Sequence, residues 1–267
     1  MSMVVYEVEE SVATVRLNRP EKLNAFTYEM IDAIRAAVDR AAADDRVVGI
    51  VITGAGRGFS AGLDAADLAR SAEAGPPPSA SAQADDLPAL FSYLVRVPKP
   101  VIAAVNGVAA GGGFVLAMMC DLRFASEDAS FTTIFSRRGL VAEHGTSWIL
   151  PRLVGTSRAL DLLWSARRID AAEAFRIGFV DRLVSREHLL AEAAGYVRDL
   201  GTNCSRRALA VMKAQVYRHV AVPFDVACHE TARLVLEALA HPDATEGAAA
   251  LLERRPPRFA PWKREDA

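Results

Sequence analysis

The stretch that decides the fold is Val101-Ile102-Ala103-Ala104-Val105-Asn106-Gly107-Val108-Ala109-Ala110-Gly111-Gly112-Gly113, which runs on without a formal charge to Cys120. Length alone would let residues 101–120 cross a bilayer. Asn106 and the glycines, three of them consecutive, argue against one spanning helix. The pattern predicts instead a buried strand over Val101–Val105, a tight glycine turn, and a buried helix from about Gly113. A similar succession stands upstream. Residues 47–53 are a continuous run rich in β-branched side chains, as in a strand covered on both faces. Gly54-Ala55-Gly56-Arg57-Gly58 and Phe59-Ser60-Ala61-Gly62-Leu63-Asp64 break that run, and residues 63–69 then read as a helix.

Outward from these segments, residues 4–8 and 12–17 alternate around Glu9-Glu10-Ser11, the pattern of a hairpin. Pro20 fixes a loop, and Thr27 is placed to cap a helix carrying Met30, Ile31, Ile34 and Val38 on one face. Residues 122–125 predict a fourth strand. From Ser157 the pattern is mostly helical, with a short strand near residues 179–184. Strands alternating with helices predict an α/β fold of stacked βαβ units. Residues 71–86, with Pro76-Pro77-Pro78 and many Ala and Ser, predict a mobile surface loop within the domain.

The chain has 267 residues, 51% hydrophobic and 24% charged, ample apolar material for a core. Its 31 Lys+Arg against 33 Asp+Glu give −2, so no basic surplus points to nucleic acid, although a local patch could hold a phosphate. Cys120, Cys204 and Cys228 are odd in number and widely spaced, which predicts reduced thiols and a cytoplasmic protein. The first ten residues lack an apolar core, so no secretory signal is expected. No paired His or Cys at helical spacing predicts a metal site. Ser60 and Ser147 lack the context of a hydrolase nucleophile. The glycines at 54, 56 and 58 do not space as a dinucleotide fingerprint requires.

The two small-residue turns, one ending at Asp64 and the other at Gly113, each stand between a buried strand and a helix. At such junctions free N–H groups point outward with the positive end of a helix dipole behind them. Two on neighbouring strands could aim at one oxygen atom, an oxyanion hole suited to a thioester becoming an enolate. The same glycines could equally serve only close strand–helix packing.

Taken in order, Leu17-Asn18-Arg19-Pro20 with Asn24-Ala25, Phe59-Ser60-Ala61-Gly62-x-Asp64, Asn106-Gly107-x-Ala109-x-Gly111-Gly112-Gly113 and Cys120-Asp121 resemble the crotonase (enoyl-CoA hydratase/isomerase) superfamily. The likeness continues through Ile169-Asp170-Ala171-x-Glu173-Ala174, Gly178-Phe179-Val180 and Asp243-x-x-Glu246-Gly247. It implies a crotonase-like spiral of ββα units over residues 1–200. It also implies a C-terminal helical region, 201–267, belonging to the same fold and building a homotrimer or a dimer of trimers. It further implies acyl-CoA or enoyl-CoA thioester substrates, with coenzyme A as part of the substrate and no separate cofactor. The thioester oxygen would accept the N–H groups of Leu63 and Gly112.

Family hydratases carry two glutamates, and the matching positions here are the apolar Val115 and Phe135. Syn-addition of water needs a base and an acid, so the ordinary hydratase mechanism is not implied. Instead, Gly139-Leu140-Val141-Ala142-Glu143-His144-Gly145-Thr146 resembles the acid/base segment of peroxisomal-type Δ3,Δ2-enoyl-CoA isomerases, where a single Glu is the base. It also resembles 4-chlorobenzoyl-CoA dehalogenase, which has an aspartate nucleophile at the position of Glu143. Glu143 is therefore the expected base, unless it only caps the helix beginning near Thr146. Val115 and Phe135 would wall the acyl pocket. His144 would be either a contributor or a structural histidine. Ala61 and Asp64 lie in the substrate-facing turn, Asp64 also being placed to cap the following helix. Lys22 or Arg19 and the tail residue Lys263 are candidates for the CoA phosphates, Ala66 replacing the usual family lysine. The open alternatives are a hydratase with a non-standard acid/base set and a non-catalytic acyl-CoA binder.

Overall fold

A computed structural model describes residues 2–75 and 87–261. It begins with a hairpin, β1 (Val4–Glu9) and β2 (Val12–Leu17), and α1 (Tyr28–Ala43) follows, capped by Thr27, whose hydroxyl accepts the Met30 N–H. Three successive turns of chain then repeat one plan. β3 (Gly49–Gly54) passes to β4 (Gly58–Ser60) and α2 (Ala65–Ala74). β5 (Val101–Val105) passes to β6 (Val108–Ala110) and α3 (Gly112–Met119). β7 (Leu122–Ser126) passes to β8 (Ser130–Thr132) and, after a short 3₁₀ turn, α4 (Thr146–Val154). The chain continues through α5 (Thr156–Ser165), β9 (Ile169–Asp170), α6 (Ala171–Arg176), β10 (Arg182–Val184) and α7 (Leu189–Asn203). α8 (Arg206–His219), α9 (Phe224–Ala240) and α10 (Pro242–Glu253) complete it.

The strands sort into a six-stranded sheet, β1-β2-β3-β5-β7-β10, and a four-stranded sheet, β4-β6-β8-β9. Only the hairpin and β8–β9 are antiparallel. β3, β5 and β7 of the large sheet thus each hand the chain to a partner in the small one, β4, β6 and β8, and the strand-to-helix turns of the first two units lie against each other. The large sheet is covered on both faces, which explains the unbroken apolar runs. Ile50 and Ile52 face the main core with α1 and α3, while Val51, Ile102 and Phe124 pack against Leu189, Ala193 and Val197 of α7. α3 is buried from Gly113 to Met119, so its lack of charge reflects a core position. Among the described residues no helix is long and apolar enough to cross a membrane.

Several boundaries differ from the sequence reading. β3 starts at Gly49, because Val47 and Val48 give their N–H groups to Asp44 and Ser11 outside the ladder. α2 starts at Ala65, since Leu63 is engaged in an isolated bridge with Phe26, and it runs on to Ala74. Residues 71–74 are therefore helical, and residues 76–86 of the expected loop lie outside the described residues. The strand near residues 179–184 shrinks to β10 because the N–H groups of Phe179 and Val180 return to Ala174 at the end of α6.

The C-terminal helices are tied to the core by buried charge. Lys213 of α8 donates to Asp121 Oδ2 (2.7 Å) and to the carbonyls of Leu94 (2.9 Å) and Lys99 (3.1 Å), while the Tyr217 hydroxyl donates to Asp121 Oδ1 (2.9 Å). Burial pushes the Lys213 ammonium down and the Asp121 carboxylate pulls it back up.

Candidate active site

The first turn is braced by two asparagines. Asn24, fully buried, donates Nδ2 to the carbonyls of Ala55 (2.9 Å) and Gly58 (2.8 Å) and accepts the Arg19 N–H on Oδ1. Asn106 accepts the Gly54 N–H (3.0 Å) and donates to the carbonyls of Gly56 and Gly58. The 54–58 glycine segment is therefore a belted turn, its carbonyls turned to asparagine side chains. Beyond it, the Ser60 hydroxyl donates to the Asn24 carbonyl and accepts the Gly62 N–H. Gly62 takes φ +88, a region only glycine enters without strain. Phe26 donates its N–H to Gly62 O (2.7 Å) and accepts that of Asp64 (2.8 Å). The Leu63 N–H between them has no acceptor among the described residues.

The second turn abuts the first. Gly111 donates to Thr132 O (3.1 Å) and takes φ +50, which opens α3 at Gly112 with an N–H that no residue within the helix can accept. A Cβ built on Gly62 would lie 2.6 Å from Ala110 O and 3.0 Å from Gly112 N, so the turns are in van der Waals contact. The two unpartnered amides thus come from adjoining pieces of backbone.

Leu63 and Gly112 line a cavity of about 540 Å³ together with Phe135, Glu143 and His144, and Phe26, Tyr28, Phe91 and Tyr93 are among its other lining residues. The half-buried Glu143 carboxylate has no hydrogen-bond or ion-pair partner among the described residues. Its carbonyl, by contrast, accepts both the N–H (3.0 Å) and the hydroxyl (2.6 Å) of Thr146. α4 has Gly145 as its N-cap with no side-chain cap, so Glu143 does not serve as that cap. His144 accepts the Leu90 N–H on Nδ1 (3.2 Å), and burial pushes its imidazole below the usual histidine range against the opposing pull of Glu143.

The remaining candidates fall elsewhere. Val115, expected to wall the pocket, is fully buried in the core and does not line the cavity, because its place on the all-buried α3 turns it inward. Asp64 caps α2 through the Ala66 N–H (3.1 Å) and pairs with Arg19 (3.2 Å). That N–H and then Arg19 hold its carboxyl below the usual carboxylate range. Arg19, which also donates to Ala25 O, is a brace of the first turn and not an open phosphate ligand. Ala61 is half-buried with its N–H on Leu23 O, and Lys22 is exposed; neither lines the cavity. Lys263 lies outside the described residues. The sequence reading missed the wall that α1 supplies. Tyr28, Ile31, Asp32 and Arg35 line the cavity from one face of α1, a spacing visible in the sequence beside the core-facing set. Arg35 is held by Asp39 (2.9 Å) and stacks over Tyr93. Among the described residues no group of three or more His, Cys, Asp or Glu could hold a metal ion.

A ββα spiral with two backbone turns meeting at an apolar cavity defines a class of enzymes. The enoyl-CoA hydratase/isomerase family model matches residues 7–262, and the chain belongs to that family. It is 34% identical over 261 residues to 1,2-epoxyphenylacetyl-CoA isomerase of Escherichia coli, covering 97% of this chain and 98% of that protein. It is 35% identical over 258 residues to a probable enoyl-CoA hydratase of Rhodobacter capsulatus, covering 95% and 96%. Among solved structures, a probable enoyl-CoA hydratase/isomerase from Mycobacterium abscessus superposes with a TM-score of 0.82 at 34% identity, covering 98% of this chain and 100% of the other.

Proposed function

We propose that the protein is a Δ3,Δ2-enoyl-CoA isomerase with Glu143 as its single base. The carboxylate removes a proton from C2 of a 3-enoyl-CoA. The electrons pass to the thioester oxygen, where the N–H groups of Leu63 and Gly112 stabilise the dienolate. The same carboxyl returns the proton at C4, and the double bond closes between C2 and C3 in conjugation with the thioester. One base suffices because the two carbons lie on one face of a short allylic segment.

The observation that supports this reading is the unpaired Glu143 carboxylate lining the cavity that Leu63 and Gly112 also line, with an apolar Phe135 at one position where hydratases hold a second glutamate. The name of the Rhodobacter relative favours a second reading, hydration of a 2-enoyl-CoA. Conjugated thioester absorbance separates the two: isomerisation raises it from a 3-enoyl ester, hydration lowers it from a 2-enoyl ester, and a non-catalytic binder changes neither. Glu143→Gln is expected to keep CoA-ester binding and lose about 3 kcal/mol or more of transition-state stabilisation. Undiminished turnover in that variant removes Glu143 from the reaction.

The proposal extends to assembly and to the CoA end. The exposed Phe224, Leu236, Leu239, Leu251 and Leu252 of α9 and α10 are the apolar surface a homotrimer would cover, which light scattering tests directly. Lys22 and Lys263 are assigned to the CoA phosphates.

A further inference from the structure

We infer that His144 is a positioning residue that fixes the Glu143 carboxylate by tying its turn to the cavity-lining segment at Leu90; the inference rests on Glu143 being the base. A carboxylate with no hydrogen-bond partner is only as well placed as the backbone that carries it. The Glu143 backbone leaves a surface stretch in which Val141 is 79% exposed, and it belongs to no helix or strand. From the C-terminal side it is anchored by Thr146, whose N–H and hydroxyl both end on the Glu143 carbonyl. The other anchor is the neighbouring imidazole, which reaches a segment 54 residues away to accept the Leu90 N–H at 3.2 Å.

The backbone supports the same conclusion. His144 sits at φ +53 and Gly145 at φ +72, left-handed residues in succession. A side chain held in that region marks a place where the surroundings over-determine the conformation. Accepting on Nδ1 places the ring proton on Nε2, and an imidazolium would set two N–H groups against each other. Burial favours the neutral ring, in keeping with that bond. Leu90 belongs to the stretch of residues 87–93 that lines the cavity, so the strap sets the distance between the base and that stretch.

The experiment uses His144→Gly and His144→Asn in the full chain. Glycine suits the left-handed backbone and has no acceptor, whereas asparagine tolerates it and offers Oδ1 near the place of Nδ1. His144→Gly is expected to lower kcat for 3-enoyl-CoA by about ten-fold or more with KM little changed, and His144→Asn to recover most of that loss. Amide exchange at Leu90 should quicken in the glycine variant and remain slow with asparagine. Wild-type kcat in His144→Gly, or equal losses in both variants, overturns the inference. If Glu143→Gln is inactive while His144→Gly is not, only the strap fails; if Glu143→Gln is fully active, the isomerase reading fails.

Discussion

Gly62→Ala tests whether the two adjoining turns must keep their spacing. The new Cβ would lie 2.6 Å from Ala110 O, against an ordinary contact beginning at 3.4 Å, so the turns must part by about 0.8 Å or distort by as much. A shift approaching 1 Å in a positioned group costs on the order of 10²-fold, close to the loss of a whole oxyanion donor. The expected result is therefore a fall in kcat of about 50- to 100-fold, or roughly 2.5 kcal/mol, read as slower growth of conjugated thioester absorbance from a 3-enoyl-CoA. Alanine at φ +88 should also lower unfolding free energy by about 1–2 kcal/mol in urea titrations. Gly112→Ala provides the comparison. Its Cβ would meet the edge of the Phe26 ring at 3.3 Å and Gly62 Cα at an ordinary 3.7 Å, and the N–H stays, so a loss within about ten-fold is expected. A folded Gly62→Ala protein with wild-type kcat would refute the claim that amides at 63 and 112 act together.

Two further expectations concern stability. Lys99 is buried against the carbonyls of Ala41 and Asp44, and desolvation pushes its ammonium from 10.5 down to about 8, against the pull of Asp44 and Asp45. The unfolded chain keeps that proton to higher pH, so the native state gains stability as pH rises from about 8 towards 10.5, by roughly 3 kcal/mol at most. Lys99→Met should remove this rise from urea titrations, and parallel pH curves for the two proteins would count against it. Lys213→Met leaves the Asp121 carboxylate without its cation and is expected to cost about 3 kcal/mol or more of unfolding free energy. A loss below about 1 kcal/mol would place the pair with ordinary surface bridges.

The strand-to-helix turns are legible in the sequence because their requirements are local: a β-branched or small apolar run, then glycines where backbone approaches backbone. That Glu143 lines the cavity is legible from the family resemblance of its segment, and the Asp64 cap from its place before a helical run. What is not legible depends on contacts far apart in the chain. Nothing near Leu90 signals that its N–H ends on His144, and nothing near His144 signals a left-handed backbone. Val115 reads as a pocket wall by alignment alone, yet the burial of α3 on all sides decides that it faces the core. The Ala-rich run of residues 71–74 reads as loop beside three prolines, although alanine also extends a helix readily, and α2 continues through it.

The ionic rivet between α8 and Asp121 bears on how this chain could be divided. A cut near residue 204, between α7 and α8, would leave the first fragment with the Asp121 carboxylate and two carbonyls lacking their cation, and the second with helices whose apolar faces lack a floor. Neither piece should fold by itself, but mixed together they carry complementary halves of one largely buried charge cluster. That makes the α7–α8 junction a natural place for a split reporter whose reassembly restores the enzyme.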